Sequence, residues 1–193
     1  MERENPEAML EPEDLDEVQR GSGEIACDVC RAVSKVALQR AKKARALHDE
    51  ERLSELVADL CVGTPMLPDG TYKGGEYPKY PGNPPLWGEM YRVRREAGGG
   101  AWRMKRLPKG ATPEEKGGGD GDGGGEYNDM VIKHSMISRA CKRVLSEEEE
   151  LEPLFEVIYE RGAQWTAQTL GASYCAPVCG GRGAEKQKEK EEL

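Results

Sequence analysis

The six cysteines constrain this chain of 193 residues more than any other feature of its sequence. Gly (24), Pro (12) and charged residues (33%) are abundant and there is one Phe, so apolar side chains are scarce for the length. A core that small usually needs covalent cross-links. An even number of cysteines allows a complete disulfide framework, although many pairings are formally possible.

Apolar side chains with helical spacing place these cysteines on helices. Residues 25–36 carry apolar side chains at steps of three and four, and Ser22 can cap the helix that they define. The predicted helices run over about 24–46, 50–61, 128–145 and 154–161, and a short segment leads into the last cysteines. The fold class that follows is all-α, with four or five helices.

The cysteines occupy matching positions on these helices. A turn-spaced pair lies on the first helix and another close pair near the end of the chain, with single cysteines on the second and third helices. If the first and last segments pack antiparallel, the outer members of the two pairs meet each other, and so do the inner members. The bridges that this arrangement predicts are Cys27–Cys179, Cys30–Cys175 and Cys61–Cys141.

Two other interpretations of the cysteines are weaker. Cys27-x-x-Cys30 has the spacing of half a zinc knuckle, but the other close pair lies at the far end of the chain, and neither histidine stands near either pair. The same motif could act as a redox pair, but Glu24 and Asp28 disfavour the thiolate that such a motif needs. We therefore predict no catalytic, cofactor or metal site.

Residues 63–127 interrupt the helical pattern and form a long insert. The insert is rich in Gly and Pro and includes a linker-like run at 117–125. Two of its segments, 90–95 and 101–106, alternate apolar with basic side chains on either side of a glycine-rich loop. This pattern predicts a small β-hairpin.

The hairpin region is basic, whereas the rest of the chain is acidic. Residues 86–109 hold seven Lys or Arg against two Glu, a net charge of +5, and since the whole chain carries −8, the remainder carries −13. A basic aromatic ribbon of this kind suggests a docking surface for an acidic partner. The alternative interpretation of the same charges is a solvated hairpin on which they prevent edge-to-edge aggregation. The candidate partner-binding residues are Arg92, Arg94, Arg95, Trp102, Arg103, Lys105 and Arg106.

Overall charge and apolar run length argue against nucleic acid as the main partner and against a membrane-spanning helix. A net charge of −8 argues against nucleic acid, which requires a surplus of Lys and Arg. No apolar run approaches the roughly 20 residues of a membrane-spanning helix, so we predict no transmembrane segment.

The sequences at the two ends of the chain bear on the cellular compartment of the protein. Residues 1–21 hold eight Asp or Glu against two Arg and lack an apolar centre, which predicts a disordered leader and no signal peptide. Residues 181–193 form a charged tail that ends one conservative change from the KDEL retrieval signal. With an oxidisable cysteine framework, this tail predicts residence in the endoplasmic reticulum lumen, the signal peptide being missing upstream of Met1. The retention residues are Lys190, Glu191, Glu192 and Leu193.

Four short motifs follow the order found in saposin-like domains. They are CDVC (27–30), DLC (59–61), ACKRVL (140–145) and YCAPVC (174–179). Within that class the chain most resembles the Canopy family of lumenal chaperone-associated proteins, above all at ACKRVL and the helix with IYERG that follows an acidic stretch. The resemblance covers about residues 24–62 and 128–180, and the final CxxxC spacing is tighter than that usual in saposins.

The resemblance implies a fold and a function. The fold is a saposin-like, disulfide-stapled domain over residues 22–180, whose helical parts 22–62 and 128–180 flank the insert 63–127. The function is that of a non-enzymatic accessory or co-chaperone that helps client proteins fold or leave the endoplasmic reticulum. Its partners would be client proteins or a resident chaperone, together with the retrieval receptor. The alternatives are a saposin-like lipid-binding protein and a thiol–disulfide oxidoreductase that uses Cys27 and Cys30.

Overall fold

The contacts of the chain divide it into two units. The computed structural model describes residues 10–61, 91–108, 125–145 and 153–180. The helices and strands are α1 (Pro12–Ala44), α2 (Glu50–Ala58), β1 (Tyr91–Arg95), β2 (Trp102–Arg106), α3 (Gly125–Leu145), α4 (Leu154–Arg161) and α5 (Ala167–Tyr174), with a 3₁₀ turn at Asp59–Cys61. The first unit holds Met1–Ile25 and Cys61–Ala140, and the second holds Ala26–Leu60 and Cys141–Leu193, so that α1 and α3 contribute to both.

The described part of the chain is mostly helical and carries a small two-stranded sheet, which confirms the coarse prediction. In these ranges no helix combines the length and the apolar character that crossing a membrane requires. The predicted retrieval tail and most of the predicted linker at 117–125 lie outside the described residues.

In the first unit, the start of α1 packs against the hairpin and α3. Gly21 allows a close approach, because a Cβ atom there would lie 2.5 Å from Sδ of Met136 and 3.1 Å from Cδ1 of Trp102. The buried apolar residues of this unit are Val18, Ile25, Val93, Trp102, Met104, Val131, Ile132, Met136, Ile137 and Ala140.

The hairpin forms where alternation predicts it. Its strands are antiparallel, with Val93 opposite Met104, and both of these side chains are buried. Gly98 and Gly99 have φ values of 81° and 78°, a left-handed conformation that side chains other than glycine adopt at a cost. Glu96 closes the loop, since its N–H donates to the carbonyl of Ala101 at 3.0 Å.

The second unit combines the rest of α1 with shorter helices, two of which have side-chain N-caps. Asp49 begins α2, because its Oδ1 accepts from the N–H of Arg52 at 3.0 Å. Thr166 and Thr169 form a reciprocal capping box at the start of α5. The buried residues shared among these helices include Val29, Val33, Leu38, Leu53, Leu60, Val144, Leu154, Ile158, Leu170 and Tyr174.

The disulfide bridges follow the nested order that the antiparallel arrangement predicts. Cys27 pairs with Cys179 and Cys30 with Cys175, across Cα–Cα distances of 4.9 and 5.8 Å. Cys61 and Cys141 are also disulfide-bonded, and since no cysteine is free, they are each other's partners. Three bridges are typical of proteins that mature in an oxidising compartment.

The prediction that residues 1–21 form a disordered leader is wrong from Pro12 onward, because α1 begins there and not near Glu24. Val18 is fully buried, and Ser22 lies between it and Ile25 on the same stripe. Ser22 therefore does not cap a helix; its Oγ donates to the carbonyl of Gln19 at 2.7 Å inside one. The prediction failed because acidic residues were taken as a sign of disorder. In the first turn of a helix they are stabilising, since they interact favourably with the positive end of the helix dipole.

Candidate functional site

Two glutamates of α1 hold the hairpin within the first unit. Glu17 forms an ion pair with the guanidinium of Arg95. Oε2 of Glu24 accepts a hydrogen bond of 2.6 Å from the backbone N–H of Trp102. Arg95 and Trp102 are cross-strand partners, and the guanidinium lies 5.0 Å from the ring centroid. An ion pair, a charge-assisted hydrogen bond and a cation–π contact thus converge at this end of the hairpin.

The opposite side of the hairpin is entirely cationic. Since Val93 and Met104 are buried opposite each other, the flanking cross-strand pairs must point the other way. Those pairs are Arg92 with Lys105 and Arg94 with Arg103. We call these four residues the outer face. It carries four positive charges at neutral pH on two short strands.

The predicted partner-binding residues therefore differ in what they contact. Trp102 is 6% exposed and Arg95 is engaged by Glu17, so both serve to attach the hairpin. Nε of Arg103 lies 3.1 Å from Oε1 of Glu96. Arg94, Lys105 and Arg106 are exposed, and in the part of the chain that the structure describes, no carboxylate pairs with them. Arg92 is half-buried and lies opposite Lys105.

Sequence reasoning missed Glu17 and Glu24, which belonged to the supposed leader and its border. A signal for them exists. They are seven residues apart, two helical turns, so they lie on one face of α1 with Gly21 between them. A helix predicted from Pro12 would have placed Glu17, Gly21 and Glu24 on one face. Two acidic side chains beside a small residue would then have indicated the face against which a basic hairpin packs.

Several polar groups are buried beneath the hairpin or on α3. Among the described residues, Nε1 of Trp102 and Oγ of Ser135 are buried without a hydrogen-bond partner. Burial, assisted by the charge of Lys133, lowers the pKa of His134 to about 4. His134 is therefore neutral at physiological pH and is a packed residue of α3.

The geometry of the cysteines does not suit redox exchange. Cys27 and Cys30 are bridged to the end of the chain and not to each other. Cys30 and Cys175 are 0% exposed, and Oγ of Ser34 lies 3.6 Å from the sulfur of Cys175. Exchange requires an accessible sulfur, so the buried Cys30–Cys175 bridge has the character of a structural one. In the described ranges, no cluster of three or more His, Cys, Asp or Glu could hold a metal ion.

Fold and site together define a mostly helical, disulfide-stapled protein that carries a basic hairpin. Comparison with protein-family models, with curated proteins and with solved structures finds no match to this chain.

The anchoring role of Glu24 leads to a prediction. Replacing Glu24 by Ala should speed hydrogen exchange at the Trp102 amide by about tenfold or more, because a hydrogen bond to a charged acceptor is lost. Glu24→Gln retains an acceptor oxygen and should change the rate less. Glu13→Ala, in the exposed first turn of α1, is the control and should leave this amide unchanged. Equal acceleration in both alanine variants would contradict the anchoring role.

Proposed function

We propose that this chain is a non-enzymatic accessory protein, or co-chaperone, of the endoplasmic reticulum lumen, related to the Canopy family. It helps client proteins fold or leave that compartment by presenting the outer face to a protein partner. The observation that carries the proposal is the outer face itself: four cations in two cross-strand pairs, on a hairpin that Glu17 and Glu24 hold to α1.

Two further features support the lumenal location. The three disulfide bridges suit an oxidising compartment and would be reduced in the cytosol. The sequence Lys190–Leu193 is one Asp-to-Glu change from a retrieval signal that is recognised at a free carboxyl terminus.

Neither alternative function gains comparable support. A thiol–disulfide oxidoreductase needs a Cys27–Cys30 couple, and both cysteines are bridged elsewhere and buried. A lipid-binding protein needs apolar surface for acyl chains. The large apolar side chain that stands exposed in the described part is Tyr159, at 40%.

A rescue experiment tests the function. Cells in which the gene is disrupted should secrete less of one or more disulfide-bonded proteins, while synthesis of those proteins is unchanged. The full chain, supplied with a signal peptide, should restore secretion. The chain without Lys190–Leu193 should appear in the medium and restore it poorly, and two glycines added after Leu193 should have the same effect, since both changes remove the retrieval signal.

Several outcomes would refute the proposal. An unchanged set of secreted proteins after disruption would remove the accessory function. Catalytic reduction of insulin by the purified chain would make it an enzyme. Full rescue by both tail variants, each still inside the cell, would show that the tail is not an address.

A further inference from the structure

We infer that the outer face binds an acidic polypeptide segment of the partner. The like charges that make this binding possible also make the hairpin less stable than it would be with opposite charges at the same positions. The inference rests on the proposed function and specifies the chemistry of its partner. It follows from which residues stand opposite each other, from their exposure and from the way the hairpin is held.

The first step is the arrangement of charge. In an antiparallel pair, directly opposed side chains project from the same face, and like charges placed there repel. Arg92 opposes Lys105, and Arg94 opposes Arg103. Along each strand the cations recur every second residue, about 7 Å apart, and the two rows stand about 5 Å apart. The carboxylate of Glu96 offsets the repulsion at Arg103, whereas in the described ranges no carboxylate offsets it at Arg94 or Lys105.

The second step is the cost. A hairpin of five-residue strands has little stability of its own, and opposite charges at these positions would strengthen it. Instead the stabilising contacts are found at the other side and the loop end, in Glu17, Glu24 and the buried Val93–Met104 pair. Residues that weaken local structure while an anchor compensates for them are typical of a functional surface.

The third step is the partner's chemistry. Three of the four side chains are Arg, whose planar guanidinium forms paired hydrogen bonds with carboxylates. The apolar side chains of the two strands, Val93, Trp102 and Met104, are buried on the inner side, so the outer face has nothing apolar to insert into a bilayer. An acidic segment of a protein therefore fits this face better than a membrane surface.

The test compares two double variants of the full, oxidised chain. Arg94→Gln/Lys105→Gln neutralises one cation of each cross-strand pair. Lys43→Gln/Lys142→Gln removes the same net charge at exposed positions in the last turns of α1 and α3. The probe is a synthetic peptide of alternating Glu and Thr, and binding is measured by calorimetry at physiological salt. The denaturation midpoint of each variant is measured in parallel, and vesicles containing phosphatidylserine are the second probe.

We expect the hairpin variant to bind the peptide at least about tenfold more weakly than the wild type, and the control variant to bind it as the wild type does. The midpoint of the hairpin variant should be equal to or higher than that of the wild type, because repulsion has been relieved. A lower midpoint would mean that these cations stabilise the hairpin, and would overturn the inference. So would equal weakening in both variants, or vesicle binding that depends on the outer face when peptide binding does not.

The inference and the proposed function can fail separately. If the hairpin variant loses peptide binding but restores secretion in disrupted cells, the surface is correctly assigned and the proposed function is wrong. If peptide binding ignores the outer face while disruption still lowers secretion, the accessory function stands and this inference fails.

Discussion

Replacing Cys61 and Cys141 together by alanine is expected to lower the free energy of unfolding by about 4.5 kcal/mol. The bridge closes a loop of 80 residues, and on the chain-entropy model such a loop strongly restricts the unfolded chain. A loss of this size approaches the whole net stability of a small domain. Urea denaturation of the oxidised proteins, in the absence of reductant, measures it.

The terminal bridges should behave differently because they are nested. Cys27–Cys179 and Cys30–Cys175 join the same two segments, so removing the outer one leaves the large loop closed by the inner one. The ring between the two bridges spans about nine residues, which corresponds to about 2.5 kcal/mol. The Cys27→Ala/Cys179→Ala variant is therefore the matched comparison. Equal losses in the two variants would show that loop closure does not determine the stabilisation.

The second large expected effect is a loss of stability at acid pH that is caused by His134. The pKa of His134 in the folded protein is about 4, against 6.5 for the free side chain. Below pH 6.5 the unfolded chain takes up a proton at His134 that the folded chain does not. The contribution of His134 to the free energy of unfolding is therefore present at neutral pH and is lost as the pH falls toward 4. This difference of about 2.5 pKa units corresponds to at most about 3.5 kcal/mol.

Comparison of pH profiles isolates this contribution. The free energy of unfolding of His134→Leu should fall less steeply between pH 6.5 and 4 than that of the wild type. The carboxylates that also titrate in acid are common to both proteins and cancel in the difference. His48→Leu, at an exposed position, is the control. Parallel profiles for His134→Leu and the wild type would refute the assignment.

The hairpin shows how much local pattern can predict. Alternation of apolar and basic residues located both strands to within one residue, and Gly98 and Gly99 of the loop have the positive φ that a tight connection requires. The same alternation did not reveal which aromatic residues remain exposed. Trp102 was a candidate partner-binding residue, and it is buried because Gly21 and Met136 pack against its side of the hairpin.

The sequence by itself determined the helical class and the hairpin, because each depends on spacing within a short segment. The nested order of the bridges followed from the spacing within each cysteine pair together with the assumption that the first and last segments pack antiparallel. Tertiary structure alone decided where α1 begins and what its acidic residues do. Val18 is a core residue only because the first unit folds around the start of α1, and Glu17 and Glu24 are anchors only because Arg95 and Trp102 reach them. These contacts join residues 78 positions apart, a distance over which local periodicity carries no information.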